Sequence, residues 1–219
     1  MEIEKYIDHT LLIPNSTSKD IKKLCEEAIQ YKFKAVCVPP FHIHTAASVL
    51  DDTLVRVATV VGFPMGYSAI PAKVEEVKRA VNEGVDEIDM VANLAAVKDA
   101  KWSHVHNDID SVTRAAHLKG KTIKVILEMG FLTNDELRKL CDICVRLGVD
   151  YVKTSTGMHG HPATLEQIKL LKSIVGNQTK IKAAGGIKSR SAIEQMIAAG
   201  ASRIGTSSAV SILNATLTK

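Results

Sequence analysis

The chain has 219 residues, of which 46% are hydrophobic and 24% are charged, and its formal net charge is +4. An apolar fraction of this size supports a buried core and excludes a disordered chain. Basic residues are spread among acidic ones, so the charge does not support a nucleic-acid partner. No run of 18 consecutive apolar residues occurs, so we expect neither a transmembrane helix nor a membrane partner.

The N-terminal segment and the cysteines indicate where the protein works. The first ten residues, MEIEKYIDHT, lack the basic and long apolar regions of a secretory signal, so we expect no such leader. The chain contains four cysteines. Without a secretory signal, they indicate reduced thiols and a cytoplasmic protein.

Eight short runs rich in β-branched and other apolar residues predict eight β-strands. Several of the runs are almost continuously apolar, which is typical of strands buried on both faces. In chain order the predicted strands are Tyr6–Leu12, Lys34–Pro39, Val55–Phe63, Glu87–Ala92, Thr122–Glu128, Tyr151–Ser155, Lys180–Ala184 and Arg203–Thr206.

Helical patterns lie between these strands. In the segment Lys19–Lys32, the apolar residues that share one helix face are Ile21, Leu24, Cys25 and Ile29. Two segments match the capping box that opens a helix, Thr133-x-x-Glu136 and Ser191-x-x-Glu194. Glycines stand where four of the helices would end, at Gly84, Gly120, Gly148 and Gly200.

Alternation of eight strands with helices predicts a (β/α)₈ TIM barrel. No linker interrupts the series, so we predict that residues 1–219 form a single domain. An open, doubly wound sheet is the competing fold. The barrel is favoured because the strand count reaches eight and no GxGxxG follows the first strand. Functional residues are then expected at the carboxyl ends of the strands.

Four charged residues lie within the apolar strands: Asp89, Lys124, Lys153 and Lys182. A single lysine of this kind is usually explained by an edge position or an ion pair. Lysines in three consecutive βα units, with an aspartate, indicate convergence on one site. An amine attacks a carbonyl only when it is neutral, and burial or a neighbouring ammonium lowers an amine pKa. Paired lysines with a proton-shuttling carboxylate therefore predict a class I, metal-free aldolase that needs no cofactor.

Glycine-rich strand ends predict a phosphate site. In TIM barrels the loops after strands 7 and 8 commonly bind phosphate through backbone N–H groups and helix N-termini. The candidate residues there are Gly185, Gly186, Gly205, Ser207 and Ser208, and Gly157 at the end of strand 6 is expected to contribute. Lys188 is a candidate counter-ion, with a solvated turn residue as the alternative explanation.

Together these segments resemble the deoxyribose-phosphate aldolase family. The matching segments are IDHTLL (7–12), AVCV (35–38), GFPMG (62–66), DEIDMV (86–91), KVILE (124–128), VKTSTG (152–157), KAAGGI (182–187) and RIGTSS (203–208). The resemblance implies that Lys153 forms the Schiff base, that Lys182 tunes it and assists proton transfer, and that Asp89 orients a water for proton relay. It also implies the substrate, deoxyribose 5-phosphate, which such enzymes cleave reversibly to glyceraldehyde 3-phosphate and acetaldehyde.

The chain departs from the family pattern at several positions. Ile13 stands where a lysine is frequent, Pro39 where an asparagine is common, Met129 where a threonine is common, and Met158 where an aromatic residue is usual. The C-terminal segment SILNATLTK lacks the terminal tyrosine that some members use for proton transfer. Both lysines and Asp89 are intact, so these departures bear on substrate range and rate more than on reaction class.

Other features leave alternatives open. Three His-x-His pairs, at 42/44, 104/106 and 159/161, are interpreted as surface histidines without a metal. Cys37 is either a reactive thiol near the site or a buried core residue, and Asp8 and Lys124 are candidates for supporting roles.

Two competing functions remain open. One is a different lysine-dependent phosphosugar aldolase, such as a transaldolase-like barrel, and the other is a non-catalytic phosphosugar-binding barrel. A homodimer is expected from general frequency alone.

Overall fold

A computed structural model describes residues 1–217 as a barrel of eight parallel strands. Each strand pairs with the next along the chain, and β1 pairs with β8 to close the barrel. The strands are β1 (Ile7–Thr10), β2 (Ala35–Val38), β3 (Arg56–Val61), β4 (Glu87–Val91), β5 (Thr122–Ile126), β6 (Tyr151–Lys153), β7 (Lys180–Ala184) and β8 (Arg203–Thr206). The predicted (β/α)₈ fold is confirmed, and closure of the barrel excludes the open sheet.

The helices pack their apolar faces on the outside of the barrel. Within residues 1–217 they are α1 (Ser18–Gln30), α2 (Ile43–Val49), α3 (Ile70–Asn82), α4 (Leu94–Lys98), α5 (Trp102–His117), α6 (Asn134–Arg146), α7 (Leu165–Val175), α8 (Arg190–Ala198) and α9 (Ala209–Leu217). None of the helices in this part of the chain is long and apolar enough to cross a membrane.

The predicted helix ends are partly confirmed. Thr133 and Glu136 form a reciprocal capping box at α6, and the four predicted terminal glycines all have positive φ. The capping box at Ser191 is wrong. Ser189 caps α8 by accepting from the Ala192 N–H, and Glu194 accepts from Arg190 instead. Arg190 and Ser191 already lie inside the helix, so the cap begins two residues earlier than the motif suggested.

The face predicted for α1 needs one correction. Ile21, Leu24 and Cys25 are buried as expected, but Ile29 is 41% exposed and Ala28 is buried instead. A step of seven residues from Ile21 points to Ala28, whereas Ile29 falls at the edge of the stripe.

Strand register decides which side chains point into the barrel. Paired residues of neighbouring parallel strands face the same side of the sheet, and the register pairs Asp89 with Lys124, and Lys182 with both Lys153 and Arg203. These side chains all lie inside the barrel. Branched apolar residues usually fill that space in this fold, whereas here the side formed by β4–β8 and β1 is ionic.

The opposite inner wall is apolar. Cys37, Ala58 and Val60 from β2 and β3 form a small buried cluster, with Leu12 and Phe63 packed against it. The barrel interior therefore has a charged half and an apolar half.

Candidate active site

Six buried charged side chains form a closed ring of ion pairs inside the barrel. Each base bridges two carboxylates, and each carboxylate of the ring bridges two bases. In order around the ring, the six residues are Asp8, Lys182, Asp89, Lys124, Glu87 and Arg203. We call this set the ion ring. With three carboxylates and three bases, the fully ionised ring carries no net charge.

The contacts of the ring are short. Lys182 Nζ lies 2.5 Å from Asp8 Oδ2 and 2.8 Å from Asp89 Oδ2. Lys124 Nζ lies 2.7 Å from both Asp89 Oδ1 and Glu87 Oε2. Arg203 binds both Glu87 oxygens, at 3.1 and 2.9 Å, and its Nε donates to Asp8 Oδ1 at 2.7 Å. Charge-assisted bonds of this length and number compensate the removal of the charges from water.

The surroundings keep the carboxylates of the ring ionised. Burial alone would raise the pKa of Asp89, but Lys124, Lys153 and Lys182 together hold it well below its usual range. Burial likewise opposes ionisation of Asp8, yet Lys182 and the neighbouring guanidinium lower the pKa of Asp8 to about 2. Both groups are therefore anions at neutral pH.

The lysines of the ring stay protonated for the complementary reason. Burial by itself would lower the pKa of Lys182, but Asp8 and Asp89 raise it above its usual value. The pKa of Lys124 is also raised, because Asp89 and Glu87 outweigh burial. Lys182 and Lys124 are consequently fixed ammonium groups.

Lys153 is attached to the ring without being part of it. Its Nζ donates to Asp89 Oδ2 at 2.8 Å, the same oxygen that binds Lys182. Among the described residues, Asp89 is the single carboxylate that Lys153 contacts, whereas each base of the ring contacts two. A protonated Lys153 is therefore one positive charge in excess, and loss of its proton leaves the whole assembly neutral. The structure thus brings Asp89, Lys153 and Lys182 together as predicted.

A pocket of about 400 Å³ opens above Lys153 at the carboxyl ends of the strands. All seven residues predicted for phosphate binding line this pocket, together with Lys153: Gly157, Gly185, Gly186, Lys188, Gly205, Ser207 and Ser208. The Ser208 N–H donates to Thr206 Oγ1 at 3.0 Å, so this predicted donor has an internal partner in the present arrangement. Lys188 lies exposed at the pocket wall.

Glycine is required at two positions of this wall. Gly185 and Gly186 have φ angles of +102° and +69°, a region that other residues rarely adopt. A Cβ atom on Gly186 would also lie 2.7 Å from the Cβ of Pro162. The double glycine lets the chain turn beside the pocket with its backbone close to any bound ligand.

A buried carboxylate that the sequence analysis missed ties together the loops after β5 and β6. Glu128 Oε2 accepts from the Thr156 N–H at 3.1 Å and forms a very short hydrogen bond with the Thr156 hydroxyl. The backbone continues the connection, because the Met129 N–H donates to the Thr154 carbonyl. Glu128 has a left-handed φ of +50°, which is costly for a residue with a side chain. Thr156 lines the pocket, so Glu128 holds one of its walls.

Glu87 and Arg203 were also missed as members of the site. Both lie at predicted strands, and Glu87 is two residues before Asp89 on the same inward face. Side chains two residues apart in a strand point to the same face. Because Asp89 was already predicted to point inward, this alternation was the signal that would have identified Glu87. Arg203 stands at the first position of β8, and an arginine is usually exposed unless it is paired.

The remaining candidates fall into place around the site. Lys124 and Asp8 belong to the ion ring. Cys37 is fully buried in the apolar wall, and burial and the charge of Asp89 raise its thiol pKa, so the structure favours the core residue over a reactive thiol. Cys141 and Cys144 are likewise buried inside α6.

The histidines do not assemble a metal site in the described part of the chain. No three His, Cys, Asp or Glu side chains there are placed to hold a metal ion. His159 and His161 both pack edge-on against Phe131, and His159 Nε2 lies 3.9 Å from Glu128 Oε2. They therefore flank the loop that Glu128 holds.

Two of the four departures from the family pattern line the pocket. Ile13 is 50% exposed and Met158 is 44% exposed, so each presents an apolar side chain to an entering ligand. Met129 is buried, and Pro39 lies at the end of β2. The C-terminal segment without a tyrosine ends in Thr218 and Lys219, which lie outside the described residues.

Comparison with known proteins agrees with this geometry. A family model described as DeoC/LacD family aldolase matches residues 3–217. The chain is 47% identical over 215 residues to a protein of Thermococcus gammatolerans named deoxyribose-phosphate aldolase, covering 97% of this chain and 96% of that protein. It is 46% identical over 213 residues to deoxyribose-phosphate aldolase 1 of Staphylococcus aureus, covering 97% and 96%.

Solved structures give the same result. The structure named QR15, an aldolase, superposes with a TM-score of 0.93 at 38% identity, over 99% of this chain and 96% of that one. The deoxyribose phosphate aldolase of Aeropyrum pernix, described as tetrameric, superposes with a TM-score of 0.91 at 30% identity, over 98% and 91%. The chain therefore belongs to the DeoC/LacD aldolase family and is a carbon–carbon lyase.

Proposed function

We propose that the chain cleaves 2-deoxy-D-ribose 5-phosphate reversibly to D-glyceraldehyde 3-phosphate and acetaldehyde, through a Schiff base on Lys153. The observation that carries this proposal is the position of Lys153. It is the base in excess of the neutral ion ring, and it lines the same pocket as the predicted phosphate residues. The substrate itself is proposed from the names of the relatives.

The bond changes follow from this placement. The neutral Lys153 amine attacks C1 of the open-chain sugar, and loss of water gives an iminium ion. The iminium accepts the electron pair of the C2–C3 bond while the C3 hydroxyl loses its proton, which releases glyceraldehyde 3-phosphate and leaves an enamine. Protonation of the enamine at C2 and hydrolysis then release acetaldehyde and regenerate the amine.

Lys182 and Asp89 act on Lys153 by charge and position. The fixed ammonium of Lys182 disfavours a second positive charge on the amine that shares its carboxylate oxygen. Asp89 holds the two amines together and is placed to order a water that carries protons. The phosphate end of the sugar is bound by the loops around Gly186 and Ser207, at the N-terminus of α9.

Borohydride trapping tests this function. The protein is incubated with deoxyribose 5-phosphate or acetaldehyde and sodium borohydride, and the adduct is mapped by peptide mass spectrometry. We expect a reduced adduct on Lys153, and we expect Lys153→Ala to abolish turnover while phosphate still binds. Lys180→Ala is the matched control, because Lys180 is an exposed lysine at the opposite end of β7. Near-normal turnover by Lys153→Ala would refute the proposal.

We also infer a cytoplasmic homo-oligomer, with a homodimer as the smallest assembly. All four cysteines are free thiols, as expected in a reducing compartment. One structural relative is described as tetrameric, and closed symmetric assemblies are common among such enzymes. Light scattering coupled to size-exclusion chromatography measures the assembly, and a mass of one chain would contradict it.

A further inference from the structure

Two members of the ion ring, Glu87 and Arg203, lie away from the pocket, yet they complete the charge balance on which Lys153 depends. Glu87 and Arg203 do not line the pocket, whose described residues include Lys153. They close the ring beneath it, with Glu87 bound to Lys124 and Arg203 bound to Asp8. Removing either one changes the total charge of the assembly without removing a group that touches the substrate.

We propose that Glu87 and Arg203 are positioning residues that set, through the charge of the ion ring, the pH above which Lys153 reacts. This inference rests on the proposed role of Lys153 as the Schiff-base lysine. It goes beyond that role because it assigns control of the nucleophile to two groups on the far side of the ring.

The groups around Lys153 support transmission of charge across the barrel. The charged or titratable residues that form the ring or face it come from six strands. They are Asp8 (β1), Cys37 (β2), Glu87 and Asp89 (β4), Lys124 (β5), Lys182 (β7) and Arg203 (β8). On β6, the Tyr151 ring lies 5.9 Å from the Arg203 guanidinium carbon. The β3 residues Ala58 and Val60 are apolar.

Little water screens these interactions. Asp89, Lys124 and Lys182 have no exposed surface, and Arg203 and Glu87 are 3% and 5% exposed. Charges in such an environment interact more strongly than charges at the surface. Cys37 contributes no charge, because burial keeps its thiol protonated. A change at Glu87 or Arg203 therefore reaches Lys153 with little attenuation.

Two neutral substitutions are expected to act in opposite directions. Glu87→Gln removes a negative charge and leaves the ring positive, so Lys153 loses its proton more readily. The acid limb of the pH profile of kcat/KM therefore shifts to lower pH. Arg203→Gln leaves the ring negative, so Lys153 holds its proton more tightly and the acid limb shifts to higher pH. A shift of about one pH unit each way is expected, which is about tenfold in rate at a fixed acidic pH.

The double variant Glu87→Gln with Arg203→Gln restores a neutral ring of four charges. Its acid limb should return to the wild-type position, even though its stability is lower than that of the wild type. A merely structural role cannot produce opposite shifts that cancel. Glu83→Gln and Arg79→Gln are the matched controls. Arg79 on α3 forms an ion pair with Glu83, the residue that follows the helix, so the pH profiles of these variants should not move.

The outcomes separate this inference from the proposed function. If wild-type protein gives the borohydride adduct on Lys153 but the two variants shift together or not at all, the role of Glu87 and Arg203 is refuted alone. If the wild type gives no adduct on Lys153, the proposed function fails first. If Arg203→Gln does not fold, Arg203→Lys replaces it in the test. Arg203→Lys keeps the charge and must leave the acid limb at the wild-type pH, while Glu87→Gln must still shift the acid limb to lower pH.

Discussion

Lys73 and Asp108 form a second buried ion pair, outside the barrel, and breaking it should destabilise the whole protein. Lys73 on α3 and Asp108 on α5 have no exposed side-chain surface, and Lys73 Nζ lies 2.6 Å from Asp108 Oδ2. Lys73 also donates to the Val91 carbonyl at the end of β4, at 3.0 Å. Burial lowers the pKa of Lys73 and raises that of Asp108, so the pair forms against a desolvation cost.

The substitution Lys73→Met shortens the unbranched side chain by one atom and removes its charge. Asp108 is then left buried without its partner, which costs about 3–5 kcal/mol, and the lost hydrogen bond to Val91 adds about 1 kcal/mol. For a chain of this size each kcal/mol corresponds to about 2–4 °C in Tm. We therefore expect thermal unfolding, followed by circular dichroism, to shift down by roughly 8–24 °C.

Two further variants give this prediction its controls. Lys73→Met with Asp108→Leu removes both charges, and apolar replacement of a buried ion pair is often neutral in stability, so most of the lost Tm should return. Lys78→Met breaks an exposed pair with Glu75 on the same helix and should cost less than about 1 kcal/mol. A drop of only 2–3 °C for Lys73→Met, or a double variant as unstable as the single one, would refute the reasoning.

Three other predictions concern the site. The Asp8 pKa falls from its usual 3.8 to about 2 in the folded protein, so Asp8 stabilises the fold above about pH 4. This contribution, about 2 kcal/mol, is lost as the pH falls towards 2. Urea unfolding at several pH values should show that the free energy of unfolding depends less on pH in Asp8→Asn than in the wild type. Identical pH dependences would contradict this prediction. Gly186→Ala places a Cβ against Pro162 and should weaken binding of inorganic phosphate about tenfold by calorimetry; unchanged affinity would show that this turn does not bind phosphate. Lys182→Leu removes one cation of the ring and should move the acid limb of the pH–rate profile upward, whereas an unmoved profile would remove its role in tuning Lys153.

Much of the site could be predicted because its residues lie at the carboxyl ends of strands. The strand count predicted the barrel, and the barrel brings every strand end to one face. Lys153 and the glycines around Gly186 could therefore be assigned to one pocket before any distance was known. The capping error at Ser191 has a local cause, since two serines two residues apart both satisfy the chemistry of a helix start.

The sequence by itself determined the eight-unit alternation, the buried lysines of β5, β6 and β7, and the glycine turns beside them, because hydrophobic period and residue type are local properties. Only the tertiary structure decided how the charges pair. Asp8 and Arg203 are separated by most of the chain, yet closure of the barrel places β1 beside β8 and joins them. Whether Lys153 or Lys182 is the base in excess depends on the number of carboxylates that each one contacts. That number depends on distances between strands, which no local pattern in the chain encodes.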